Sequence, residues 1–153
     1  MEKTLVLIKP DAMERKLMGS IISIYEQRGL HISAIKIIRA TEYIAQEHYY
    51  EHKDKPFFKE LIEYITRHEV CALIVEGNNT VELVRKINGA TDPFNADLGS
   101  VRGRFGISKS ENTVHSSDCL ESAEREIKIW FPELSCWEEP LLILAIILTI
   151  NHW

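Results

Sequence analysis

Asn112-Thr113-Val114-His115-Ser116-Ser117-Asp118 sets a histidine at the end of a short apolar run and directly before a helix-start signal. An imidazole acts as base, ligand or nucleophile when one ring nitrogen is fixed by an acceptor and the other is left free. Asp118 with Glu121 three residues on reads as a capping box, behind which Leu120, Ala123, Ile127 and Phe131 recur at helical spacing. Cys119, Ser122 and Glu126 then share a neighbouring face, from which Glu126 can reach back to His115 and orient its ring.

The cations with the most informative surroundings are Lys9 at the end of an apolar run, Arg85 on a short helical segment, and Arg102 and Arg104 around Gly103. Converging on one place, they suit a polyphosphate better than a neutral ligand. Thr91 and Asn112 can add neutral donors, and Phe57 or Tyr49 a stacking face for a base. No Gly-x-x-x-x-Gly-Lys-Ser/Thr loop occurs, so side chains must do the gripping. His48-Tyr49-Tyr50-Glu51-His52 matches the H-x-x-E-H pattern of some zinc enzymes, but only three positions are fixed and no third ligand is marked.

The elements that must position these groups follow from periodicity. Thr4 to Ile8 reads as a buried strand, broken at Pro10-Asp11 before a helical segment whose Leu17, Ile21 and Ile24 share a face and which stops at Gly29. His31 to Arg39 alternates as a second strand with Ile35 and Ile37 on one side. Thr41 caps a short helix to Tyr50, and Pro56 opens another to about Arg67. Val70 to Val75 is a third strand, Asn79 to Ile87 a helix with Val81 and Val84 inward, and Asn112 to His115 a last short strand. The stretch from Asn88 to Arg104 has no clear period and is long for a structureless loop, which points to function. This order suggests an α/β sandwich; the pattern alone leaves a parallel and an antiparallel sheet open.

At 153 residues the chain fits one domain that can bury a core without staples. Eighteen Lys and Arg against 23 Asp and Glu give a net charge of -5, which argues against general nucleic-acid binding. The three cysteines, Cys71, Cys119 and Cys136, lack metal-ligand spacing and fit a reducing cytosol, and no secretory signal precedes the first strand. Leu141 to Ile150 is apolar except for Thr149, about half the ~20 residues a bilayer span needs, so buried packing or a subunit contact is expected there rather than membrane insertion.

Several pieces in order resemble the nucleoside diphosphate kinase family over nearly the whole chain: Thr4-Leu5-Val6-Leu7-Ile8-Lys9-Pro10-Asp11, His48-Tyr49, Lys55-Pro56-Phe57-Phe58, Gly89-Ala90-Thr91-Asp92-Pro93, Val101-Arg102-Gly103, and Asn112 to Asp118 leading into Glu121 to Ile127. The resemblance assigns 1–139 to the kinase domain and leaves 140–153 as an atypical apolar tail. It implies a ferredoxin-like α+β sandwich, a four-stranded antiparallel sheet covered by helices, assembled as a hexamer or tetramer. It implies ping-pong transfer of the γ-phosphate from a nucleoside triphosphate to a nucleoside diphosphate in the cytoplasm, with Mg²⁺ carried by the nucleotide and no resident metal. By position it makes His115 the nucleophile, Glu126 its orienting group and Ser117 their support, with Tyr49 against the histidine. Lys9, Arg85, Thr91 and Arg102 would hold phosphates, Asn112 and Lys9 the sugar, and Phe57 the base. Stacking needs no edge-specific bonds, so broad base and sugar tolerance follows. A catalytically weak nucleotide- or protein-binding relative is the alternative, against which the full residue set counts. Three residues depart from the pattern: Ser116 stands where the family usually has glycine or another very small residue, Asp92 where asparagine is common and Arg104 where an acidic residue is common.

Overall fold

The computed structural model describes residues 1–135, so the expected boundary at 139 and the apolar tail lie outside the described residues. Strand β1 (Glu2–Ile8) is the centre of the molecule, with every side chain from Thr4 to Ile8 buried. Its near-continuous apolar run is what a strand covered on both faces requires. Val6 and Ile8 point into one core and Leu5 and Leu7 into another, the alternation that sheet geometry imposes.

The remaining strands are β2 (His31–Ile38), β3 (Val70–Gly77) and β4 (Val114–Ser116). They form a four-stranded sheet in the order β2-β3-β1-β4, and every pairing is antiparallel. That settles the direction left open by periodicity in favour of the antiparallel, ferredoxin-like arrangement. Helices α1 (Pro10–Glu14), α2 (Met18–Gln27), α5 (Thr80–Asn88) and α6 (Val101–Phe105) contribute Ala12, Ile21, Tyr25, Val84 and Val101 to the first core. Helices α3 (Glu42–His48), α4 (Phe58–Thr66) and α7 (Leu120–Trp130) supply Ala45, Ile62, Ile65 and Trp130 to the second, and α8 (Pro132–Ser135) closes the described chain. No helix among the described residues is long and apolar enough to cross a membrane.

Several local expectations are corrected. The segment from Pro10 to Gly29 is two helices, because Lys16 takes a left-handed φ of 59° while the Lys16 and Leu17 amides close α1 onto Met13 and Ala12. Gly29 ends α2 by the same device at φ 76°, there with the residue that favours it. Helix α4 starts at Phe58 rather than Pro56, and the strand before the last helix begins at Val114. The Asn88–Arg104 stretch holds a 3-10 turn at Pro93–Asn95 and most of α6, whose Ser100 side chain accepts from the Gly103 amide at 3.1 Å. Helix α7 is capped by Cys119, whose sulfur accepts from the Ser122 amide, one residue later than the Asp118–Glu121 box. On β2 a bulge between Ile32 and Ala34 turns Ile35 and Ile37 to one side as expected, but they remain 54% and 52% exposed at the free edge of the sheet.

Leu7 pairs with His115 across β1 and β4 and has no exposure. Leu7→Ala should lower stability by about 2–5 kcal/mol, read as a reduced urea midpoint at unchanged slope.

Candidate active site

Strand β4 is only three residues long, and the backbone before it is strained. Thr113 has φ 71°, and the Val114 amide donates to Asn112 O at 2.8 Å, closing a tight γ-type turn that a β-branched residue resists. Asp11 holds it there. One carboxylate oxygen accepts the Thr113 amide at 3.1 Å and the other accepts the Tyr64 hydroxyl. The Lys9 amide donates to Thr113 O at 2.8 Å, so the first loop and the histidine strand are stitched together. Ser116 is not among the left-handed residues; the unusual backbone lies at Thr113 instead.

His115 emerges from this turn half-buried, and its Nε2 lies 3.0 Å from Glu126 Oε2. A carboxylate can only accept, so Nε2 carries the hydrogen and Nδ1 is left for chemistry. Glu126, 5% exposed, also accepts the Ser117 hydroxyl at 2.7 Å on the same oxygen, while Arg125 stands 3.8 Å from Oε1. Ser117 is itself fixed by exchanging contacts with the β1 backbone at Leu5.

Buried His48 packs edge-on against His115, ring centroids 4.6 Å apart at 84°. Burial and the neighbouring His115 push its pKa well below the usual imidazole range, which keeps it neutral. The Trp130 indole donates to His48 Nδ1 at 3.2 Å, placing the ring hydrogen on Nε2. His48, His115 and Glu126 form the one candidate metal cluster among the described residues. Two nitrogens and one carboxylate do not suit Mg²⁺, which prefers oxygen, and Trp130 already uses the free lone pair of His48. The H-x-x-E-H reading also fails to assemble, because α3 ends at His48 and His52 sits in the exposed 3-10 turn Tyr50–His52. The Tyr49 ring meets His48 at 4.7 Å and 72°, and Tyr49 lines the same cavity as His115.

These groups open into a cavity of about 1140 Å³ that also takes in Lys9, Phe57, Arg85, Thr91, Arg102 and Asn112. Every residue expected at the site therefore lines it or, like Ser117, braces a residue that does. Lys9 donates to Asn112 Oδ1 at 2.6 Å and lies 4.9 Å above the Tyr64 ring, and Asn112 in turn donates to Thr91 O at 2.8 Å. Arg102 spans Gly89 O and Val114 O at 2.7 and 2.8 Å, and its buried Nε has no partner among the described residues. Arg85 is exposed and Phe57 is 44% exposed, tilted towards His52 at 5.9 Å. Asp92 caps the 3-10 turn through the Phe94 amide, and Arg104 lies over Phe105 at 4.9 Å.

Burial, with Arg102 nearby, brings Lys9 down to about 8 despite the opposing Asp11 charge. Lys9 is thus charged below pH 8 and loses its proton above it, whereas a bound polyanion favours the charged form. The affinity advantage of the wild type over Lys9→Met for inorganic tripolyphosphate should shrink as pH rises from 7 to 9, by up to about tenfold per unit above the pKa, measured by titration calorimetry.

Asp11, His48, Tyr64 and Trp130 are site residues that sequence reasoning missed. Asp11 and His48 fell inside quoted motifs but were not assigned these contacts, and nothing in the sequence marked Tyr64 or Trp130.

The model of the family described as nucleoside diphosphate kinase matches residues 2–136. A nucleoside diphosphate kinase of Clostridium perfringens is 52% identical over 134 residues, covering 88% of this chain and 94% of its own length. That of Pyrococcus abyssi is 51% identical over 142 residues, 91% of this chain and 89% of its own. The crystal structure of the apo enzyme from Encephalitozoon cuniculi superposes with a TM-score of 0.84 at 39% identity, over 86% of this chain and 89% of that one. With the antiparallel sheet, the carboxylate-bound histidine and the cationic cavity, this extent of likeness establishes that the chain belongs to the nucleoside diphosphate kinase family, enzymes that transfer phosphate between nucleotides.

Proposed function

We propose that His115 Nδ1 is the nucleophile of a two-step phosphate transfer. Nδ1 attacks the γ-phosphorus of a nucleoside triphosphate, an N–P bond forms as the bond to the β,γ-bridging oxygen breaks, and the diphosphate leaves. A terminal oxygen of a second diphosphate then attacks the phosphohistidine, and the N–P bond breaks. The observation that carries this reading is the 3.0 Å contact of Nε2 with buried Glu126, which leaves Nδ1 free beside a cationic cavity. Glu126 orients the ring and Ser117 steadies Glu126, while Tyr49 lies against the histidine.

Lys9, Arg85, Thr91 and Arg102 hold the phosphates in this reading. Asn112, tied to Lys9, joins it at the sugar, and Phe57 offers the base an exposed ring. Recognition by stacking gives breadth across bases and between ribose and deoxyribose. Mg²⁺ arrives on the nucleotide as part of the substrate and neutralises phosphate charge. The kinase domain runs to about residue 139, with the apolar segment beyond it. A cytoplasmic homo-oligomer, hexamer or tetramer, is the assembly we favour. Ile35 and Ile37 on the free edge of β2, and exposed Phe94 and Leu98, are apolar surfaces a second copy would cover.

Incubation with γ-labelled ATP and Mg²⁺ should give an acid-labile, base-stable phosphoenzyme whose label chases into both GDP and dTDP. His115→Asn should carry no label, and Glu126→Gln should acquire it at least about tenfold more slowly. An unlabelled wild type would overturn the proposal. Ile35→Lys with Ile37→Lys should reduce the sedimentation coefficient of the full chain.

A further inference from the structure

Strand alternation sends His115 and Ser117 towards α7 and Ser116 to the opposite side, towards α5. There Ser116 meets a buried polar chain that the phosphate-transfer reading has not used. Tyr25 and Asn88 both have no exposure. The Tyr25 hydroxyl donates to Asn88 Oδ1 at 2.6 Å, and Asn88 Nδ2 donates to Ser116 Oγ at 3.0 Å.

The direction of this chain is set by charge. Burial keeps Tyr25 protonated, its hydroxyl raised far above the ordinary phenol range, and the Arg102 guanidinium acts on it as the nearby cation. A hydroxyl beside a cation turns its lone pairs to the charge and its proton away, here onto Asn88 Oδ1. That fixes the amide with its NH2 facing Ser116. Ser116 Oγ must then accept, so its own hydrogen points elsewhere. Among the described residues no acceptor receives it, and Ser116 lines the same cavity as His115, Arg85 and Arg102.

We propose that the Ser116 hydroxyl is an additional phosphate-binding donor, aimed by the Tyr25–Asn88 relay at a non-bridging oxygen of the phosphoryl group beside His115. Tyr25 donates to Asn88 and Asn88 donates to Ser116, so each bond polarises the next. Asn88 and Tyr25 are positioning residues, acting only through Ser116.

The inference rests on phosphohistidine formation, and one assay separates the two. In single-turnover labelling of His115 by γ-labelled ATP, Ser116→Ala should lower kcat/KM about tenfold, as loss of a donor to a charged group does. Ser116→Thr should restore most of it. Tyr25→Phe should lower kcat/KM by a smaller factor, about threefold, and have no further effect in the Ser116→Ala background. Thermal midpoints taken alongside expose a merely structural role: a lowered midpoint with unchanged kcat/KM in Ser116→Ala overturns the proposal. Equal Tyr25→Phe losses with and without Ser116 overturn the relay. A wild type that takes no label is a failure of the nucleophile assignment instead.

Discussion

A carboxylate with 5% exposure organises this protein. Glu126 lies two turns into α7, and a buried carboxylate is tolerated only when donors satisfy it. Its Oε2 takes one hydrogen bond from His115 and one from Ser117, both on the β4 side of the sheet. The helix must therefore pack at the height where Glu126 meets the strand, and the strand must present alternate residues 115 and 117 to it. Trp130, one further turn along the same helix, reaches His48, and His48 closes the remaining face of the His115 ring. One ring nitrogen is fixed and one flank is covered, which leaves a single direction for chemistry.

The opposite requirement is met on the other side of β4. Lys9 and Arg102 are largely buried cations close to one another, and Arg85 adds a third charge. Backbone carbonyls of Gly89 and Val114, the Asn112 amide oxygen and the Asp11 carboxylate partly offset that repulsion. In the proposed function a bound polyphosphate completes it. Asp11 serves twice, since it also holds the strained Thr113 turn that aims the histidine strand. Strain of this kind persists only where the surroundings over-determine it, and here Asp11, Tyr64 and the Lys9 amide do so.

Much of this was legible in the residues. The apolar run from Thr4 to Ile8 announced a buried strand, and the helical recurrence after Asp118 put Glu126 on a face from which it could reach back to His115. What the sequence concealed shares a cause: contacts made across the fold rather than along the chain. Lys16 ends a helix in a conformation that usually advertises itself as glycine. Cys119 caps α7 although Asp118 is the better capping type, because Asp118 instead engages the Ser122 hydroxyl, which holds its carboxyl below the usual range. His48 looked like half of a zinc pair until the end of α3 turned His52 away from it. Tyr25 and Asn88 carry no local signature, and their bond joins residues 63 apart.

Identification of the phosphorylated nitrogen tests the central claim most directly. The phosphoenzyme, labelled with ¹⁵N in histidine and examined by ¹⁵N and ³¹P NMR, should show phosphorus bonded to His115 Nδ1, with Nε2 still protonated and held by Glu126. Phosphorus on Nε2 would contradict it, because that nitrogen would have to leave the buried carboxylate around which the site is built.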